Sequence, residues 1–160
     1  LIGMSADRGK SGHSSQAPAM ISFMDTVLVG SPTEYLRLTS EDSGSGAPEQ
    51  LEAELHVDGL SASRTVFYGY TTGFRDLADL FGQLATDWRG WSGVRVWESI
   101  EGDLKIEARH QHGHVQLRVT LRHQLINRGN EGWSATADLT LEPGEQLSRI
   151  AEDLRTLTVG

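Results

Sequence analysis

The chain has no cysteine in its 160 residues. That excludes disulfides and thiolate chemistry and fits a reducing, cytoplasmic compartment. It also lacks any apolar run approaching the ~20 residues a helix needs to cross a bilayer. The first residues have no continuous apolar core of the kind a secretory signal requires. Positive charge is short: 14 Lys and Arg stand against 22 Asp and Glu, a net charge of −8. This disfavours a nucleic-acid partner, because phosphates must be met by Lys and Arg. Between Arg37 and Arg64 no Lys or Arg occurs, while Glu41, Asp42, Glu49, Glu52, Glu54 and Asp58 all fall there. That stretch reads either as a solvated edge and loop or as a docking surface for a basic partner. Catalytic motifs are missing too: there is no G-x-S-x-G, no H-E-x-x-H, and no G-x-G-x-x-G after a strand.

What the chain does contain is a hairpin whose register can be written from the residues. Asp103 to His123 reads DLKIEARHQHGHVQLRVTLRH. A two-residue turn at His112-Gly113 needs φ > 0, which Gly takes freely and His tolerates less well. Closing it there sets Leu104 against Leu121, Ile106 against Val119, Ala108 against Leu117 and His110 against Val115 on one face. The other face then pairs Asp103 with Arg122 and Glu107 with Arg118. A slip of one residue would destroy both patterns.

The remaining pattern supplies more strands and two helices. Residues 1–19 are small, polar and aperiodic and read as a flexible tail, native or left over from cloning, with Met4, Met20 and Met24 as alternative starts. Gly9-Lys10-Ser11 resembles the end of a phosphate-binding loop, but Met4 stands where its first Gly is required. A single domain is expected over 20–160. Strands are predicted at 21–29, 35–39, 51–57 and 63–70, with Asp58-Gly59 as a hairpin turn. Phe74, Leu77, Ala78, Phe81, Leu84, Ala85 and Trp88 then recur at helical steps, with Thr72 as cap and Gly90 as terminator. For 94–100 two registers remain open. The preferred one turns Val94, Val96, Ile100 and Glu98 inward; the other turns Trp97 inward. A strand at 133–142 follows, and Pro143 opens a helix with Leu147, Ile150, Ala151 and Leu154 as its stripe. The expected fold is α+β: a mostly antiparallel sheet with two amphipathic helices packed on one face, in the order strands, helix, strands, helix. The echo of Leu77, Leu80 and Leu84 in Leu147, Ile150 and Leu154 is consistent with an internal duplication.

Trp88-Arg89-Gly90-Trp91-Ser92-Gly93, then Trp97 with Ser99, then Gly113-His114-Val115 resemble a family of small, uncharacterised, mainly actinobacterial proteins. The similarity spans about residues 50–157. It implies a small soluble intracellular bacterial domain and carries over no catalytic residue.

Three sets of residues could carry chemistry. His110, His112 and His114 have metal-like spacing, but the register sends them inward, into the turn and outward, so no metal and no cofactor is expected. His110 could act as a general base near neutral pH if Glu98 reached it; Glu107 faces the wrong way. The plainer reading is a histidine bonded to the backbone. Trp91, Arg89 and Trp97, with Trp88, Trp133, Tyr68 and Tyr70, form either a core cap or a groove for a ligand or peptide. The function expected is a non-catalytic binding or regulatory domain acting through a protein partner, immunity-like modules being one such class, or through a second copy paired at an early strand edge. The alternative is a small-molecule-binding protein or enzyme with a pocket near His110 and Trp91.

Overall fold

A computed structural model of the chain describes residues 24–41, 46–69, 71–123 and 132–159. The predicted tail, Gly9-Lys10-Ser11 and Tyr70 lie outside them. Four strands come first: β1 (Met24–Gly30), β2 (Tyr35–Glu41), β3 (Gln50–Val57) and β4 (Leu60–Phe67). Helix α1 (Arg75–Thr86) follows, then β5 (Arg95–Glu98), β6 (Leu104–Gln111), β7 (His114–His123), β8 (Trp133–Leu141) and helix α2 (Glu145–Val159). The α+β class and the order strands, helix, strands, helix are those the pattern predicts. The strands divide into two antiparallel meanders, β1-β2-β3-β4 and β5-β6-β7-β8. Among the described residues no helix is long and apolar enough to cross a membrane.

The hairpin β6–β7 has the predicted register: Leu104, Ile106, Ala108 and His110 oppose Leu121, Val119, Leu117 and Val115. His112 (φ 53°) and Gly113 (φ 79°) make the turn, and among the described residues His112 is the non-glycine residue that accepts positive φ. Ile106, Ala108, Leu117, Val119 and Leu121 are fully buried. Burying a side chain of the Leu or Phe class contributes about 1.5–3 kcal/mol, so the inner face and the helices it meets dominate stability. One core cluster joins both sheets to both helices, through Val29, Leu38, Leu55, Phe81, Ile106, Leu139 and Ile150 among others.

The outer-face ion pairs depart from expectation. Arg118 turns from Glu107 to Asp138 on β8, with bonds of 2.9 and 3.2 Å from Nε and Nη2. The reason is geometric: Asp138 lies opposite Arg118 and offers both oxygens to the guanidinium fork. Asp103 meets Arg122 only through the backbone, its carbonyl accepting the Arg122 N–H at 2.9 Å. Its side chain is 6% exposed and pairs with Arg64 of β4 at 3.2 Å. Asp103 sits in the turn before β6, where strand alternation no longer dictates direction.

Strand β5 also corrects the preferred register. Trp97 opposes Ile106 and is buried, while Glu98 opposes Lys105. Val96 and Ile100 are 53% and 54% exposed. The Ser99 N–H donates to the Leu104 carbonyl and Gly102 N–H to that of Ser99, which gives the parity of a two-residue turn. A large indole buried in place of a carboxylate explains the choice.

Helix α1 starts and stops inside its predicted bounds. Phe74 occupies the cap position with its ring buried, and no side chain caps the helix. Thr72 contributes only its carbonyl, which accepts the Arg75 N–H at 3.0 Å. The helix ends before Trp88, which is therefore 46% exposed rather than part of the stripe. Helices α1 and α2 pack on each other; α1 also contacts β5, and α2 contacts β1. Gln146 at the start of α2 donates to the Gly30 carbonyl at 3.1 Å, tying the second half to the first. The repeat of four strands and a helix fits a duplication.

The Arg64–Asp103 pair joins the two sheets at a part-buried site. Asp103→Ala is expected to lower the unfolding free energy by on the order of 1–3 kcal/mol, because the Arg64 donor loses its partner. Urea unfolding of the single variants and of Arg64→Ala with Asp103→Ala checks this: the double loss should be smaller than the sum.

Candidate functional site

The loop after α1 is closed by contacts that begin at the helix end. The Asp87 N–H donates to the Gln83 carbonyl at 2.9 Å, and the Asp87 carbonyl accepts the Gly90 N–H at 2.8 Å. Its carboxylate then reaches Arg95 of β5 at 2.8 Å. The Arg95 guanidinium lies over the Trp91 ring, 4.8 Å from its centroid. Trp91 in turn meets the edge of the His110 ring, with centroids 5.4 Å apart and planes at 67°. Its indole N–H donates to the Ala108 carbonyl at 3.4 Å. Two aromatic rings and two opposite charges thus bind the loop to β5 and β6.

His110 is held on two sides. Its Nε2 lies 3.2 Å from the Trp88 carbonyl, and since a carbonyl only accepts, that nitrogen carries the proton. Its other side faces Gly90, where an added Cβ would stand 3.3 Å from Nδ1. Gly90 has φ 139°, so both backbone and space select glycine there.

The predicted site residues separate into three places. Trp91 and His110 are brought together. Arg89 stacks on the Trp88 ring at 5.1 Å, on the outside of the same loop. Glu98 is not brought to His110: its side chain is 46% exposed on the outer face, with Oε1 3.7 Å from Arg122. Trp97 lines a separate cleft with Glu98, Phe67 and Ile100. Sequence reasoning missed Asp87, Gly90 and Arg95 as partners of Trp91 and His110. The WRGW spacing marks a turn, but only the path of β5 beside β6 carries Arg95 back to Asp87.

The other histidines diverge. His112 is in the turn, and His114 Nδ1 meets Glu142 at 3.1 Å. No three His, Asp or Glu side chains among the described residues are arranged to hold a metal ion. Basic side chains on the outer face of β6 and β7 are offset by acids: Lys105 lies 4.0 Å from Glu107, and Arg118 is bonded to Asp138. The Arg118 hydrogen bond holds the Asp138 carboxyl below the usual aspartate range, against a smaller opposing effect of burial.

Two outcomes follow from this geometry. Gly90→Ala should cost about 1–2 kcal/mol through backbone strain, and it should shift the His110 ring and Trp91 indole resonances together. Asp138, with its folded-state pKa depressed, stabilises the fold at neutral pH and stops doing so as pH falls through that lowered value. In an NMR titration, Arg118→Gln should return the Asp138 midpoint to the usual range. The stability effect should be small, since the pair is solvent-exposed.

None of the curated proteins and none of the solved structures matches the chain. A family of unknown function, DUF6228, matches over residues 27–159, from β1 through the last residue of α2. The matched span takes in both meanders, both helices and the loop that holds Trp91 against His110, and the chain belongs to that family.

Proposed function

We propose that this protein is a non-catalytic binding domain that acts through a protein partner, as an immunity or regulatory module does, and that Trp88 and Arg89 form the centre of its contact surface. One observation carries the reading: an indole 46% exposed, with a guanidinium stacked 5.1 Å from its centroid, stands on a loop pinned from inside. Trp and Arg are the side chains most enriched where binding energy concentrates. The Asp87–Arg95 and Trp91–His110 contacts hold that loop before any partner arrives, so little ordering cost is left to pay on binding.

The net charge of −8 favours encounter with a basic partner, whose apolar pocket would receive the indole. Glu52 and Glu54 lie on the outer face of β3; Glu54 is 3.3 Å from Arg37, which leaves Glu52 beside Thr65 as the less neutralised of the two. The engagement of His110 by a backbone carbonyl and by Trp91 supports a positioning role for it rather than a catalytic one. The cysteine-free composition fits the cytoplasm.

The test compares wild type with Trp88→Ala and Arg89→Ala, each checked for folding by circular dichroism, in pull-downs at physiological salt. The expected result is a partner retained by wild type and bound about thirtyfold more weakly by Trp88→Ala, the equivalent of a ~2 kcal/mol hot spot. Equal capture by wild type and variants, or self-association that survives both substitutions, rejects the reading.

A further inference from the structure

Strand β5 is an outer strand of its sheet and pairs on one side only, with β6. The Ser99 N–H bonds to the Leu104 carbonyl, and on the far side of β6 the Arg122 N–H bonds to the Asp103 carbonyl. Bonding alternates along antiparallel strands, so Arg95, Trp97 and Ser99 direct their backbone groups at β6. Val96 and Glu98 direct theirs the opposite way, where they have no hydrogen-bond partner among the described residues. The space beside this edge is open. A cleft of about 400 Å³ is bounded by the end of β5, through Trp97, Glu98 and Ile100, and by Phe67 and the segment leading into α1. The remaining outer strands are engaged: β1 approaches α2 and β8, and β4 approaches β7. β5 meets α1, yet Val94, Val96 and Ile100 stay exposed along it. Outer strands are normally guarded by Lys, Pro, a bulge or a covering element, because their free backbone groups recruit other strands. β5 carries neither Lys nor Pro.

We propose that the free edge of β5 receives an extended, Lys- or Arg-bearing segment of the partner protein, added to the sheet as a further strand. An extended segment is the occupant that offers N–H and C=O groups in the alternation Val96 and Glu98 require, with side-chain contacts adding selectivity. Its apolar side chains continue the exposed row of Val94, Val96 and Ile100. Its charge follows from the cleft, whose charged lining residues are Asp76 and Glu98. Asp76 uses one oxygen to accept the Leu77 N–H at 3.0 Å, which leaves the other to a cation. Arg122, 3.7 Å from Glu98 Oε1, offsets that carboxylate only in part. Together with the net charge of −8, this favours a basic strand over an acidic one. The proposal rests on the reading that the protein acts through a basic protein partner, and it names the element that partner contributes. The loop carrying Trp88 and Arg89 leads directly into β5, so one partner spans both.

The probe is an acetylated and amidated peptide of alternating lysine and valine, seven residues long, added to the isotope-labelled full chain. Binding is expected to move the Val96 and Glu98 amide protons downfield and to slow their exchange with solvent. The Trp97 and Ser99 amides, already bonded to β6, should move less. The same peptide N-methylated at every residue should bind on the order of tenfold more weakly, because its backbone donors are gone. A glutamate–valine counterpart should bind several-fold more weakly, and the gap should close as salt is raised. Val96→Pro removes an outward N–H while sparing the bonds to β6. Val96→Lys changes only an exposed side chain and sets a guarding charge on the edge. Each should weaken the lysine–valine peptide several-fold or more. Unmoved Val96 and Glu98 amides at millimolar peptide, or equal affinity for the N-methylated form, overturn the proposal. So does protection of those amides in the free protein that grows with its concentration, since a second copy then occupies the edge. Trp88→Ala should bind the peptide as wild type does. Loss of the peptide response therefore strikes the β5 edge alone, and loss of the Trp88 effect on partner capture strikes the Trp88–Arg89 surface alone.

Discussion

Two consecutive residues with positive φ, His112 at 53° and Gly113 at 79°, turn β6 back as β7. Their geometry matches the right-handed twist of the strands they join, and it leaves a single pairing in which every apolar side chain falls on the same face. Strands β5 and β8 then add to the two sides of this hairpin, each inheriting its parity from it. That parity places His110 at the inner end of β6, within reach of the loop after α1, and sends His114 to the outer face. It also separates Glu98 from His110, although both belong to the same sheet.

The loop after α1 shows how packing reassigns residues that look alike in sequence. Trp88 and Trp91 are three positions apart, yet one is exposed and the other is pressed between a guanidinium and an imidazole. The helix stops at Thr86 and the chain reverses at Gly90, so the helical period no longer relates the two rings. What results is a surface indole on a rigid base. Rigidity there comes from interactions that cost nothing to form on binding, since they are already made.

The two halves depend on each other. Each consists of four strands and a helix, and each helix also contacts the first strand of the other half. Gln146 bonds to the end of β1, and Asp103 receives Arg64 from β4. Neither meander covers its apolar face alone; the faces close only when both helices lie together. This explains why a single core cluster runs through all the elements rather than one core per half.

Much of the fold was legible in the residues, because alternation and helical periodicity are local. The β6–β7 pairing, the Asp58-Gly59 turn and the buried stripes of both helices follow from positions a few residues apart. Side-chain partners were less legible. Arg118 had acids on both neighbouring strands, and only their relative geometry selects Asp138 over Glu107. Trp97 and Glu98 differ by one position, and which of them faces the core was left open by the turn and decided by what the core could accommodate. The sites follow the same division: the sequence alone determined that aromatic residues gather around WRGW and that negative charge prevails. Only the tertiary structure decided that Trp88 is displayed, that His110 is tied to a carbonyl, and that Phe67, Asp76 and Trp97 share a cleft. These residues come from separate segments, and proximity between distant segments is a property of packing that no local spacing encodes.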